Sequence, residues 1–362
     1  MKVALVHYWL TKMRGGEHVL EALCEMFPEA DIYTHVYDEG AVSDTIRQHK
    51  VQTTFISKLP FSKSQYQKYL PFMPRALEEL DLTEYDLIIS SESGPAKGII
   101  PRPGAFHLCY CHSPMRYLWD HYHSYRSSSG FLARAAFPHI AHRLRQWDAT
   151  GAMRVDQFVA NSAFIAQRIK SYYRRSAEVV APPVNTKAFS ESRQAPEAFY
   201  LAAGEFVAYK KFDVAVEAFN RLGKRLVVIG AGEEEAKLKA MAKPNIEFLG
   251  RVDFETLKSN FARCQALVFP GEEDFGMIPV EVMATGRPVI ALGRGGALDS
   301  VVDGKTGVHF DDPSVEGLIS GVERFEEMAF DSDLIQAHSE TFNRATFKRR
   351  ISEILQENGV SV

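Results

Sequence analysis

The sequence predicts an α/β protein made of two parallel-sheet domains, and three observations carry that expectation. Short β-branched apolar runs alternate with longer helix-period segments, which is the pattern of βαβ units. At 362 residues and 46% hydrophobic, the chain can bury more than one core. A boundary falls near residues 181–196, where Ala181-Pro182-Pro183-Val184-Asn185 cannot continue a helix and Pro196 follows a polar segment, and it divides the chain into similar halves. The expected organisation is a first domain over 1–185, a second over 186–340, and a C-terminal helix over 341–362 that can pack back toward the first.

In chain order, the strands of the first half are expected at Val3–His7, Asp31–Thr34, Leu87–Ser90, His107–Cys111 and Gln157–Ala160. Those of the second half are expected at Phe199–Ala203, Arg225–Ile229, Ile246–Leu249, Ala266–Phe269 and Val289–Leu292. Helical patterns follow most of them, as at Asp213–Leu222 and Glu233–Met241. Ligands of open parallel sheets bind beyond the carboxyl ends of the strands, so two such sheets facing one another would form a cleft.

Composition narrows the function. Net charge is −4, which argues against a general nucleic-acid footprint. Residues 1–185 carry 21 Lys+Arg against 18 Asp+Glu, about +3, while 186–362 carry 21 against 28, about −7. No apolar run reaches the roughly 18 residues of a membrane span, and Met1-Lys2 runs directly into a strand pattern rather than a signal peptide. Cys24, Cys109, Cys111 and Cys264 lack paired CxxC spacing and read as reduced core thiols, which fits a cytoplasmic location. Two windows of the first half, 45–77 and 121–147, contain no acid. The first interleaves Lys58, Lys63 and Lys68 with Phe55, Phe61, Tyr66, Tyr69 and Phe72. Such windows fit either a solvated basic face or contact with an anionic membrane surface or a pyrophosphate-linked acceptor.

The chemistry concentrates in Phe269-Pro270-Gly271-Glu272-Glu273-Asp274-Phe275-Gly276-Met277-Ile278-Pro279-Val280-Glu281. A strand end, an acidic loop and a helix start follow one another here. A helix start supplies unpaired N–H groups and a positive dipole end for phosphate or sugar hydroxyls. Glu273 lies on the loop and Glu281 about one turn into the helix, so the two can grip different parts of one ligand. Gly15-Gly16, opening a helix at Glu17, permits close backbone approach to a phosphate, or merely a tight turn. Gly230-Ala231-Gly232 is followed by Glu233-Glu234-Glu235, and an acidic helix start repels pyrophosphate. That excludes a dinucleotide fingerprint and leaves a loop beside a nucleotide.

With these segments the chain resembles the family 4 retaining glycosyltransferases of the GT-B fold, whose signature is a Glu-x7-Glu loop-helix matched by Glu273 and Glu281. The likeness extends to Gly204-Glu205-Phe206-Val207-Ala208-Tyr209-Lys210-Lys211-Phe212-Asp213, Val228-Ile229-Gly230-Ala231-Gly232, Phe248-Leu249-Gly250-Arg251-Val252 and Gly295-Gly296-Ala297-Leu298-Asp299. In the first half it appears in Gly15-Gly16-Glu17 and Cys109-Tyr110-Cys111-His112-Ser113-Pro114-Met115-Arg116-Tyr117. The pattern looks most like bacterial polysaccharide and lipopolysaccharide mannosyltransferases.

The resemblance implies two Rossmann-like domains facing across a cleft, with a nucleotide sugar, GDP-mannose or a UDP-sugar, held mainly by the second. It implies that Glu281 binds the donor ribose and that Glu273 binds the transferred sugar, beside the backbone amides of Phe275, Gly276 and Met277. Lys210 would hold the diphosphate, with Lys211 as a second cation and Arg251 and Val252 beside the nucleotide. Gly15 and Gly16 would close on the donor phosphate, and His112 would touch the sugar or assist the acceptor. A fixed ammonium favours a leaving diphosphate as its charge develops, so no metal or other cofactor is expected. The acceptor would be a glycan or lipid-linked glycan, met by a cytoplasmic protein docked peripherally on the inner face of the membrane. One departure stands out: Glu205 occupies the place of the usual family Arg, and Arg294, with Lys211 as the second candidate, would replace the missing cation. A sugar-nucleotide epimerase of similar fold, or an inactive sugar-nucleotide sensor, would share much of this pattern.

Overall fold

The computed structural model describes residues 1–128 and 130–361, apart from the side chains of residues 124, 128 and 131–133. Two compact units emerge, one of residues 1–181 together with the chain from Phe347 onward, the other of Pro182–Thr346.

The first unit holds β1 (Val3–His7), β2 (Asp31–Thr34), β3 (Val51–Thr53), β4 (Leu87–Glu92), β5 (Phe106–Cys111), β6 (Gln157–Ala160) and β7 (Glu178–Val179). They form one parallel sheet in the order β3-β2-β1-β4-β5-β6-β7. Every residue of β1 and β4 is buried, as expected of apolar strands covered on both faces by helices. The order reverses between β1 and β4, which opens a crevice at their carboxyl ends.

The second unit holds β8 (Tyr200–Ala203), β9 (Leu226–Ile229), β10 (Ile246–Gly250), β11 (Leu267–Phe269), β12 (Val289–Leu292) and β13 (Gly307–Phe310). These are also parallel, in the order β10-β9-β8-β11-β12-β13, with the reversal between β8 and β11. Two Rossmann-like sheets are thus present, and the ten expected strands all form, with end shifts of one or two residues.

Three strands escaped the periodicity, each at or near a sheet edge. β3 is a half-exposed triplet, β7 is two exposed residues, and β13 opens on a glycine. The chain returns to the first unit through the helix Arg344–Glu357. Its Phe347, Ile351, Ile354 and Leu355 recur at helical spacing and are buried with Leu5, Leu108 and Tyr110. The crossover therefore comes at Phe347, and Val362 lies outside the described residues. All four cysteines are buried and free.

Candidate active site

In the second unit, the loops that leave β8, β11 and β12 meet at the reversal point of the sheet. Lys210 comes from the loop after β8 and Glu273 from the loop after β11; Lys210 Nζ stands 3.0 Å from Glu273 Oε1. Their side chains are 14% and 17% exposed, so the pair is sheltered enough for its charge to matter. Burial works against a charged Lys210, but Glu273 outweighs it, helped by Tyr209 and Glu205, and the ammonium is held above its ordinary pKa. The loop after β12 joins through Gly296 N–H, which donates to the Glu273 carbonyl at 2.9 Å. Gly295 adopts φ +63, where a Cβ would collide with that same carbonyl oxygen.

The helix Met277–Ala284 begins at Gly276, at φ +82, a residue with no side chain of its own to cap the first turn. Phe275 is a core residue packed against Phe342, so only its backbone can serve a ligand. Glu281 is half-buried on this helix; desolvation pushes its carboxyl up to about 7, an effect that Lys210 partly offsets. Arg251 and Val252 follow β10, and Gly230 N–H holds their loop by donating to the Gly250 carbonyl at 2.9 Å.

Other expected cations stand apart from the pair. Lys211 is exposed, at φ +57, and caps the helix Phe212–Leu222. Arg294 is exposed, with its guanidinium 3.4 Å from the Asp311 carbonyl. Glu205 is exposed, yet its charge adds to the field that keeps Lys210 protonated.

In the first unit, Gly15 and Gly16 open the helix Gly15–Met26, and His112 follows β5. The structure brings them together: a Cβ on Gly16 would collide with the Tyr8 hydroxyl and lie 3.6 Å from His112 Nε2. That ring nitrogen is 2.8 Å from Ser91 Oγ. Burial, then the neighbouring His7, lowers the His112 pKa to about 3, so the imidazole is neutral.

Sequence reasoning gave no role to Ser91, His7 or Glu17, although Glu17 stood in the glycine motif. It also missed a buried charge cluster. Lys97 Nζ bonds Glu92 Oε1 at 2.7 Å and also Asp148, whose other oxygen accepts from Trp119 Nε1 and the Tyr173 hydroxyl. The window 45–77 is less uniformly cationic in the fold, because acids just outside it pair with its cations. Asp38 pairs with Lys63 at 3.1 Å, Glu79 with Arg75 at 2.6 Å, and Asp44 with Arg47. Phe61 and Phe72 remain 74% and 54% exposed. Among the described residues no group of three or more His, Cys, Asp or Glu is placed to hold a metal ion, and no helix is long and apolar enough to cross a membrane.

Comparison with known proteins agrees with this fold. Residues 13–188 match the family described as Glycosyltransferase Family 4, and residues 184–341 match Glycosyl transferases group 1. An alpha-1,3/1,6-mannosyltransferase of Dictyostelium discoideum is 27% identical over 250 residues, covering 55% of this chain and 57% of that protein. The chain spans about half the length of the curated relatives it matches. A lipopolysaccharide outer core galactosyltransferase superposes over 99% of this chain and 100% of its own, with a TM-score of 0.69 and 15% identity. The Anabaena protein HepE in complex with UDP-glucose gives a TM-score of 0.68 at 17% identity, covering 99% and 100% of the two chains. With its two parallel sheets and both domain matches, the chain belongs to the family 4 glycosyltransferases of the GT-B fold.

Proposed function

We propose that the protein is a retaining hexosyltransferase that takes mannose from GDP-mannose and passes it to a glycan or lipid-linked glycan in bacterial surface polysaccharide synthesis. The observation that carries this reading is the Lys210–Glu273 pair across the β8/β11 reversal, with Glu281 on the adjoining helix. An ammonium fixed there stabilises a departing diphosphate more as the glycosidic bond breaks than before it. Glu281 accepts from the ribose hydroxyls, and Glu273, on releasing Lys210, accepts from a hydroxyl of the transferred sugar. The backbone amides of Phe275, Gly276 and Met277 lie beside that sugar. Lys210 then does the work of a divalent ion, so turnover survives EDTA; loss on chelation that Mg²⁺ restores would overturn this part.

The mannosyltransferase relative supports mannose. A UDP-sugar is the second reading, supported by the UDP-glucose complex of HepE, because a loop such as Gly250-Arg251-Val252 does not choose the base. The place of work is the cytoplasmic face of the membrane, where the exposed Phe61 and Phe72 and the lysines around them would meet anionic lipid.

The test is incubation with GDP-mannose or UDP-glucose, with and without lipid-linked oligosaccharide, reading nucleoside diphosphate release and the anomeric configuration of the product. Acceptor-dependent release with retained configuration supports the proposal. An altered free nucleotide sugar without acceptor indicates an epimerase, and no release indicates a sensor; either result overturns it.

A further inference from the structure

Four side chains of the first unit form a buried line that ends on His112. Glu17 closes the start of the helix Gly15–Met26: its Oε2 accepts from Arg14 N–H at 3.0 Å. Its Oε1 stands 3.7 Å from His7 Nε2, beyond hydrogen-bond length but close enough to act by charge. His7 Nδ1 is 3.1 Å from Ser91 Oγ, and Ser91 Oγ is 2.8 Å from His112 Nε2. The order follows from the sheet, since His7 and Ser91 are register partners on β1 and β4 and so share a face. His7 and Ser91 are fully buried, Glu17 is 2% exposed, and His7 Nε2 has no hydrogen-bond partner among the described residues.

A hydroxyl has one proton, so Ser91 donates to one imidazole and accepts from the other. Two directions are possible. If Ser91 donates to His112, then His7 must give it the Nδ1 proton, and a bare Nε2 lone pair faces the Glu17 carboxylate in a dry interior. If Ser91 donates to His7, then His7 Nε2 carries the proton and points it at that carboxylate. The second direction places a positive N–H dipole against a negative charge, and the first places like against like.

We propose that Glu17 sets the direction of this line and thereby holds His112 as the Nε2–H tautomer, with Nδ1 as a hydrogen-bond acceptor. Glu17, His7 and Ser91 are positioning residues. Because His112 is neutral, its choice of tautomer decides what it can do. Bare at Nδ1, it accepts a hydrogen bond from a hydroxyl and cannot protonate a departing group. The inference rests on the proposed reading of the protein only for that consequence: a sugar or acceptor hydroxyl is the group that an acceptor-only imidazole would fix. The same carboxylate caps the Gly15-Gly16 turn, so one residue orients both features of this half that the sequence singled out.

Glu17→Gln supplies the test, because the cap dictates how the new amide sits. Arg14 N–H needs an acceptor where Oε2 was, which turns the amide NH2 toward His7 Nε2. A donor there reverses the line and moves the His112 proton to Nδ1. Long-range 1H–15N correlation spectra of histidine-labelled protein read the tautomer directly, with His112→Gln identifying the signal. The expected results are Nε2–H in the wild type, Nδ1–H in Glu17→Gln, and a mixture in Ser91→Ala, where the line is cut but the cap is kept. Nδ1–H in the wild type, or the wild-type tautomer in both variants, would overturn the inference. Nucleoside diphosphate release from GDP-mannose or UDP-glucose, measured in parallel, separates the two claims. A reversed tautomer with unchanged release upholds the line and removes His112 from the proposed mechanism.

Discussion

Lys210 and Glu273 leave different strands, β8 and β11, and meet in a 3.0 Å ion pair at the point where the strand order reverses. A diphosphate would compete with Glu273 for the ammonium and release the carboxylate toward the sugar. Lys210→Ala is therefore expected to lower turnover ten- to a hundredfold, the size of a lost charged hydrogen bond of about 1.5–3 kcal/mol. Lys211→Ala, exposed and outside the pair, should cost much less. If Arg294 swings from Asp311 onto the donor, Arg294→Ala will match Lys210→Ala in severity. Steady-state kinetics on the three variants, with circular dichroism to confirm folding, decide this.

If Glu281 holds the donor ribose as proposed, its raised pKa should make nucleotide binding depend on pH. Ribose hydroxyls donate best to an ionised carboxylate, and this one ionises at about 7. Affinity should rise about tenfold between pH 6 and 8, following the ionised fraction, and Glu281→Gln should flatten the curve. The linked effect on stability has the opposite sign. The folded state binds more protons than the unfolded state between about 4.5 and 7, so the stability due to this group declines as pH rises through that window and is level above it.

Lys97 tests the buried cluster apart from any activity. Its pKa is raised because Asp148 and Glu92 outweigh burial, which alone would lower it. Lys97→Met keeps the length but strands two buried carboxylates, at a cost of about 3–5 kcal/mol. Denaturant unfolding should show a clearly lower midpoint; an unchanged midpoint would mean that the carboxylates take up protons without loss.

The sheets were legible in the sequence because both are buried on two faces, and buried parallel strands write themselves as short apolar runs. β3 and β7 were not, since they are three- and two-residue runs exposed enough to lose that signature, and β13, though mostly buried, is a four-residue run that opens on Gly307 and holds His309. Glu273, Glu281 and Lys210 were legible as a motif, but their ion pair was not, because it joins residues 63 positions apart through the strand order. The line from Glu17 to His112 and the Lys97 cluster left even less trace. Polar residues at the carboxyl ends of buried strands, such as His7 and Ser91, carry no spacing rule, and only the register of β1 on β4 reveals them as partners. The window 45–77 misled in one respect: its edges were drawn between acids, and Asp38, Asp44 and Glu79 just outside them pair with Lys63, Arg47 and Arg75.

Membrane docking gives a further expectation. Phe61 and Phe72 are exposed on the segment that carries Lys58, Lys63 and Lys68, although Lys63 shares its charge with Asp38. The protein should sediment with anionic vesicles at low salt and be released at high salt, where the Debye length falls below about 8 Å. Neutralising the three lysines together should weaken the association. A wild type that ignores anionic vesicles even at low salt would leave this face as a solvated surface.

The central claim is that the loops after β8 and β11 hold a nucleotide sugar, and calorimetric titration with GDP and UDP tests it most directly. Wild type should bind one of them saturably, and Glu281→Ala should weaken that binding ten- to a hundredfold through lost ribose hydrogen bonds. Glu273→Ala should keep or tighten it, because it frees Lys210 for the diphosphate while removing only a contact to the sugar. Saturable binding with this split between the two glutamates is the predicted result. Failure of both nucleotides to bind, or wild-type affinity in Glu281→Ala, would contradict it.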